Sequence, residues 1–304
     1  MHFMLYYSMH KKETHLKHSR LANDLMNYIT DHIETDINID ELSEQFGVSK
    51  YHFHKIFKEQ MGINIYQMIK SIRLQKASNL LITNRRSTIT EIANMCGYSS
   101  QTSFIRAFKQ RFEMTPKTWR KGGYREYSNH ILGSSETASI SDADFSHLTP
   151  KIVKIDTQTA YYIRHQGYNR NVISIWQKML AWIYTNEIEE YMEVGMYHDN
   201  PIITPLESCR YVACVVPKGR KKLKNTNLPT FELFGDDIYA TFEVKGRYGD
   251  ILKLIQWVYH HWLPESGYET TTMPSYTIFH KNHFLSEDER FEITYCVPVR
   301  YEHL

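Results

Sequence analysis

Residues Ile39–Ser49 read IDELSEQFGVS, and fifty positions on Ile89–Ser99 read ITEIANMCGYS. In each stretch apolar residues stand at helical spacing, and a glycine falls eight places after the isoleucine, at Gly47 and Gly97. Glycine enters the left-handed region without steric cost, so it can end a helix and open a turn. Asp40 and Thr90 are the candidate caps. A second amphipathic run follows each turn: Lys50–Met61 with Phe53, Ile56 and Phe57 inward, and Ser100–Phe112 with Phe104, Ala107 and Phe108 inward. Helix, glycine turn, helix is the helix-turn-helix signature. One copy is weak, because many helical hairpins share it. Two copies at a fixed offset are strong.

The outward faces carry the chemistry. Tyr51, His54, Lys55 and Lys58 fall at i, i+3, i+4 and i+7 and form one polar stripe. The second run repeats it with Thr102, Ile105, Arg106 and Lys109, and with Gln101 at its edge. Such residues suit a major groove: arginine reads guanine through two hydrogen bonds, glutamine reads adenine, and an apolar group meets the thymine methyl. Ile105 on a polar face has little purpose on a merely solvated helix. Lys58 and Lys109 suit phosphates or water. His52 and His54 are two apart and diverge on a helix, so they are not a zinc pair. Between the motifs, residues 65–82 form one amphipathic helix, a rigid spacer for two units that must reach grooves about 34 Å apart.

Charge supports this division. Residues 1–130 hold 19 Lys/Arg against 12 Asp/Glu, while residues 131–304 hold 17 against 22, so a basic half precedes an acidic one. Only the first suits a polyanion. Apolar residues make up 42% of the 304 positions and charged residues 23%, which excludes a disordered or fibrous chain. No apolar run approaches the roughly 18 residues of a membrane span. The apolar start at residues 1–7 is short and is followed by its positive charges, unlike a signal peptide. Cys96, Cys209, Cys214 and Cys296 lack CxxC spacing and read as buried thiols of a reducing compartment. A cytoplasmic protein is expected, with no cofactor, metal or membrane partner.

Six serines lie between positions 128 and 146 without apolar periodicity. The expected organisation is therefore an all-α double helix-turn-helix domain at 1–127, a flexible linker at 128–149, and a second domain at 150–304. That second half also repeats. Tyr168 and Trp182 are 14 apart, as are Tyr248 and Trp262, and the pairs are 80 apart. Strand-like runs at Tyr161–His165 and Tyr239–Val244 precede them, and runs ending at Pro217 and Pro298 follow. Strand, helix, strand, strand, twice over, predicts an α+β domain with an antiparallel sheet and a pseudo-twofold repeat.

Residues 16–121 resemble the AraC/XylS-type DNA-binding domain. The resemblance rests on Ser49–Phe53 and Phe57–Glu59 in the first unit. In the second it rests on Ile92–Ala93, Gly97–Tyr98, Phe104–Lys109 and Thr115–Arg120. Glu113 stands where the family usually has glycine, and Trp119 where tyrosine is commoner. The family often presents Trp, Gln and Arg where this chain has Tyr51, His54 and Lys55, so its operator sequence does not carry over. The resemblance implies duplex DNA as partner, the bacterial nucleoid as location, and activation by contact with RNA polymerase. Repression fits the residues equally.

Residues 150–304 resemble the gyrase-inhibitor-like (GyrI-like) effector-binding domain. That resemblance implies a groove between the repeats for small hydrophobic, often cationic, compounds. Tyr168, Trp176, Trp257, Tyr276 and Phe279 are its candidate lining, while Trp182 and Trp262 read as core. Where the family often places a glutamate, the stretch Pro274–Phe279 places Thr277, so neutral ligands are expected unless Glu292 or Glu243 restores the charge. The reading is an effector-sensing regulator and not an enzyme. The rivals are a ligand-sequestering protein and a hydrolase. No nucleophile triad or phosphate loop supports the latter, and the pairs His260-His261, Asp236-Asp237 and Glu189-Glu190 diverge.

Overall fold

The computed structural model describes residues 2–219, 223 and 227–301, and among these the side chains of all but 2–12 and 137. The side chains of the apolar start at residues 1–7 thus lie outside the described set. The chain begins with α1 (His2–Asp31). Two helix pairs follow, α2 (Ile39–Gln45) with α3 (Lys50–Met61) and α5 (Ile89–Met95) with α6 (Gln101–Phe112), joined by α4 (Ile65–Thr83). The caps sit two residues before the expected ones. Asn38 accepts from the backbone N–H groups of Asp40 and Glu41, and Thr88 forms a reciprocal capping box with Glu91. The cap must lie outside the helix to reach its second and third amides, so Asp40 and Thr90 fall just inside. Gly47 and Gly97 take φ of 64° and 72° at the turns. Ser49 and Ser100 cap α3 and α6, and α6 ends on Glu113 in the left-handed region, φ 58°.

The stretch read as a flexible linker is ordered. After α7 (Pro116–Thr118) and the π turn Trp119–Gly123, α8 (Tyr124–Gly133) and α9 (Glu136–Ser139) run through it. Ile131, Leu132, Ala138 and Phe145 are buried. Its serines bond instead of loosening the chain: Ser135 caps α9, and Ser141 Oγ donates to Asp250 Oδ1 at 2.6 Å. Sparse apolar residues without a period gave no sign in sequence that a distant surface would cover them.

The remaining elements are β1 (Lys151–Lys154), β2 (Gln158–Gln166), α10 (Val172–Thr185), β3 (Tyr191–Tyr197), β4 (Arg210–Pro217), β5 (Thr230–Leu233), β6 (Ile238–Arg247), α11 (Asp250–Trp257), α12 (Leu263–Glu265), β7 (Tyr268–Thr270), β8 (Ser275–Lys281) and β9 (Arg290–Tyr301). The sheet order is β1-β6-β9-β8-β3-β4-β2-β5, antiparallel throughout, with β7 paired to β9. The repeats are β2-α10-β3-β4 and β6-α11-β8-β9, and they meet where Gly195 faces Thr277 across β3 and β8. Alternation along the strands makes two apolar faces. Tyr211, Val215, Phe279 and Tyr295 pack under α10 and α11, whereas Tyr162, Met196, Tyr276 and Cys296 form a separate cluster on the other face. All four cysteines are free and buried. Among the described residues no helix is long and apolar enough to cross a membrane.

Candidate DNA interface and effector groove

On α3, Phe53, Ile56 and Phe57 are buried, and helical periodicity leaves the opposite face outward. Tyr51 is 75% exposed. Lys55 and Lys58 are exposed beside it, and His54 is half-buried with its ring 5.6 Å from that of Tyr66. On α6, Phe104, Phe108 and Phe112 are buried, while Gln101, Thr102, Arg106 and Lys109 are exposed. Ile105 departs from the expectation of an exposed apolar reader: it is half-buried and packs against the core, because it borders Phe104 and Phe108. Arg106 and Lys109 face solvent, free to meet phosphates or base edges. The 19 residues of α4 give about 28 Å of rigid rod between the units.

An aromatic cluster is buried under α10. Tyr168 and Tyr197 bring their hydroxyls to 3.3 Å, and Tyr197 Oη is 3.1 Å from Thr277 Oγ1. Trp176 Nε1 donates to Tyr211 Oη at 3.2 Å, and its ring meets Phe279 edge-on at 5.4 Å. Burial drives the Tyr168 and Tyr211 hydroxyls well above the usual tyrosine range, and Tyr197 up to about 12, so all remain neutral donors. Gly195 makes room for this cluster, since a Cβ there would lie 2.4 Å from Tyr211 Oη. Beside Tyr168 opens a cavity of about 410 Å³ between the starts of α10 and α11, walled by Tyr248, Ile251 and Leu252 and roofed by Ser134–Glu136.

Of the candidate ligand residues, Tyr168, Trp176, Thr277 and Phe279 come together here. Tyr276 is turned by alternation to the other face, where it packs on Phe234 and Tyr239. Trp257, at the end of α11, packs on Phe242 away from the cluster. Glu292 neighbours Ile293 and therefore points outward, paired with Lys245 at 3.0 Å, and Glu243 is exposed and paired with Lys151. Sequence reasoning missed Tyr197, Tyr211, Phe284 and above all Glu193. Glu193 sits opposite Phe279 in register, on the aromatic face, and accepts from Asn282 Nδ2 at 2.9 Å. Burial holds its carboxyl above the usual range, partly offset by that bond. A glutamate alternating with apolar residues in a strand was the available signal.

A helix-turn-helix domain model matches residues 42–122, and a model of the GyrI-like small molecule binding domain matches residues 148–300. The xylose operon regulatory protein of Escherichia coli K12 is 40% identical over 95 residues, 31% of this chain and 24% of that protein. The probable transcriptional regulator LumQ of Photobacterium leiognathi is 36% identical over 94 residues, 31% of this chain and 38% of that protein. The chain thus spans less than two-fifths of either relative. Among solved structures, the C-terminal domain of EcmrR is similar over 51% of this chain and 99% of its own, with 14% identity and a TM-score of 0.39. The small-molecule model covers just over half of the sequence, and on that ground the chain belongs to the GyrI-like small molecule binding domain family, carried here behind an AraC-type helix-turn-helix domain.

Proposed function

We propose that the protein is a DNA-binding transcriptional regulator whose second domain senses a small molecule. The observation that carries this reading is the pair of capped helices, α3 and α6. Each buries one phenylalanine face and offers a polar one, and a single rigid helix spaces them. In this reading Tyr51, His54, Lys55, Gln101, Thr102 and Arg106 meet base edges, and Lys58 and Lys109 meet phosphates, in two successive major grooves of one duplex. Ile105 supports the helix from beneath. Activation through RNA polymerase in the cytoplasm follows from the resemblance to AraC/XylS-type regulators. The test is mapping of bound genomic sites, followed by anisotropy on the sites found. Affinity should fall steeply with salt, since each neutralised phosphate releases counterions. Binding that is indifferent to sequence would overturn it.

The effector reading rests on the aromatic cluster and the cavity beside it. Tyr168 brings its ring and hydroxyl to the cavity, and Trp176, Phe279 and the Thr277 hydroxyl pack behind it. Glu193 supplies a carboxylate that Thr277 had made seem absent, so ligands bearing a cation or a strong donor are preferred over neutral ones. Ring faces attract cations by about 0.5–2 kcal/mol per contact. Tryptophan quenching on the full chain, with matched cationic and neutral aromatic compounds, measures this. Glu193→Gln should remove the preference. A preference unchanged by that substitution would put the ligand elsewhere. Because Ser134–Glu136 roof the cavity and continue from α8, occupancy is felt by the DNA-binding half.

A further inference from the structure

A second cavity, of about 640 Å³, lies between the two domains. One wall comes from α4 and from the C-terminal ends of α3 and α6, with Met61, Met68 and Arg111. The other comes from β2, β4 and the segment after β3, with Arg164, His165 and Arg210. A smaller cavity of about 100 Å³ adjoins it, and Arg164 and His198 line both.

Arg164 carries a largely buried guanidinium with no ion-pair partner among the described residues. Its Nη2 donates to Asn23 Oδ1 at 2.6 Å, its Nη1 lies 2.8 Å from His198 Nε2, and its charge centre stands 4.8 Å from the Tyr162 ring. None of the ion pairs among the described residues includes it. Asp199, on the same cavity, is committed to Arg210, which donates Nε at 2.6 Å, its backbone N–H at 2.9 Å, and Nη2 as well. Glu59, also on the lining, is half-exposed and faces Lys55. His198 supplies no charge either: burial, then the charges of Arg164 and Arg210, drive its imidazole well below the usual range.

A further sign points to a missing acceptor: Arg164 Nε is buried with no partner. An uncompensated buried charge and an orphan polar atom are both costly, and natural structures rarely keep them without a purpose. Met61, Ile63, Met68, Leu74 and Val212 give the cavity an apolar patch, beside polar groups that include Gln67, Lys70 and Gln110. We propose that this interdomain cavity binds a small organic anion, a carboxylate on a compact apolar body, with Arg164 as its receptor. A carboxylate there accepts from the guanidinium in a charge-assisted bond while its body rests on the methionines. The site is separate from the aromatic cluster, and its walls belong to both domains. An occupant therefore ties the effector domain to both reading helices.

The test uses the full chain with 2-naphthoate, its neutral analogue 2-naphthamide, and inorganic phosphate, followed by calorimetry and by methyl NMR of labelled methionines. Naphthoate should bind one per chain and at least tenfold tighter than the amide. It should shift Met61 and Met68 and leave Met179, beside Trp176 on α10, unmoved. Arg164→Gln should lose tenfold or more for naphthoate and nothing for the amide. Phosphate should compete poorly. Should Arg164→Gln fail to fold, the methyl shifts in the unaltered protein decide. Equal binding of acid and amide, shifts at Met179 in place of Met61 and Met68, displacement by phosphate at comparable concentration, or no binding at all would each overturn the proposal.

Discussion

The two helix-turn-helix units look alike in sequence but are held differently. The first closes on itself: Leu25, Ile29, Phe53, Phe57 and Met68 form their own cluster. The second does not. Phe104, Phe108 and Trp119 continue through Tyr124 and Ile131 into Ile251, Leu254 and Leu263 of the effector domain. The first unit meets that domain largely through directional bonds, Asn23 Nδ2 to Tyr162 Oη at 3.1 Å and Thr272 Oγ1 to the carbonyl of Thr30 at 3.0 Å. Helix α4 divides between them, Met68, Ile69 and Ile72 on one side and Leu74, Ala77 and Leu80 on the other. Apolar burial is non-directional and scales with area, so the second unit and the effector domain form one cooperative body. The first unit is the part that a change at the interface can release.

The strongest way to break this comparison is Trp119→Ala. Trp119 is fully buried, packs on Phe112 at 4.6 Å, and donates Nε1 to the carbonyl of Ser78. The loss should be about 3–5 kcal/mol in urea denaturation. Near-ultraviolet signals of the effector domain should be lost in the same transition. An effector domain that melts unchanged would separate what we describe as one body.

The turn glycines come next. A Cβ at Gly97 would lie 2.5 Å from the Ile33 carbonyl oxygen, whereas one at Gly47 meets nothing within 4 Å. Gly47→Ala should cost about 1 kcal/mol, the left-handed backbone alone. Gly97→Ala should cost about 2–4 kcal/mol, since backbone must also move. Equal costs by thermal denaturation would mean that the second turn is no tighter than the first.

On DNA, Arg106→Ala should lose about 1–3 kcal/mol on the preferred site and relax one base, while Lys109→Ala weakens all sequences alike. Lys55→Ala measures whether the more loosely held first unit contributes less. An equal loss for Arg106→Ala on random DNA would make Arg106 a phosphate contact.

Acid gives the smallest and most local probe. Burial holds His260 and His283 at about 3, against an ordinary 6.5. The unfolded chain takes the proton first, so the stability each contributes is full above about 6.5. It falls by about 1.4 kcal/mol per pH unit down to about 3. His260 meets Tyr124 of the shared core edge-on at 4.7 Å, and His283 lies inside the effector domain beside Phe284. His260→Phe and His283→Phe should each flatten the slope by one such increment. A slope that neither changes would show that these imidazoles titrate normally.

The legible parts of the molecule were those with a short period. Phe53, Ile56 and Phe57, repeated by Phe104 and Phe108, announced two helices and their faces. Tyr168 and Trp182 against Tyr248 and Trp262 announced the duplicated sheet. The aromatic site was half legible. Tyr168, Trp176, Thr277 and Phe279 converge, but Tyr276 and Glu292 were assigned without knowing which way each strand turned them. A one-residue step along a strand exchanges faces, and no property of tyrosine or glutamate reveals the register.

The two capped helices with outward polar faces and the internal repeat were determined by the sequence alone, because local hydrophobic spacing and capping act over a few residues and need no partner. Only the tertiary structure decided which distant groups meet. It covered the stretch 128–146, through α8 and α9 and the bond of Ser141 to Asp250. It brought Glu193, not Glu292, to the aromatic face. It placed Arg164 against Asn23, 141 residues away, with no carboxylate paired to it among the described residues. Such pairings depend on how two surfaces close on each other, and burial and charge balance take their values only after that closure.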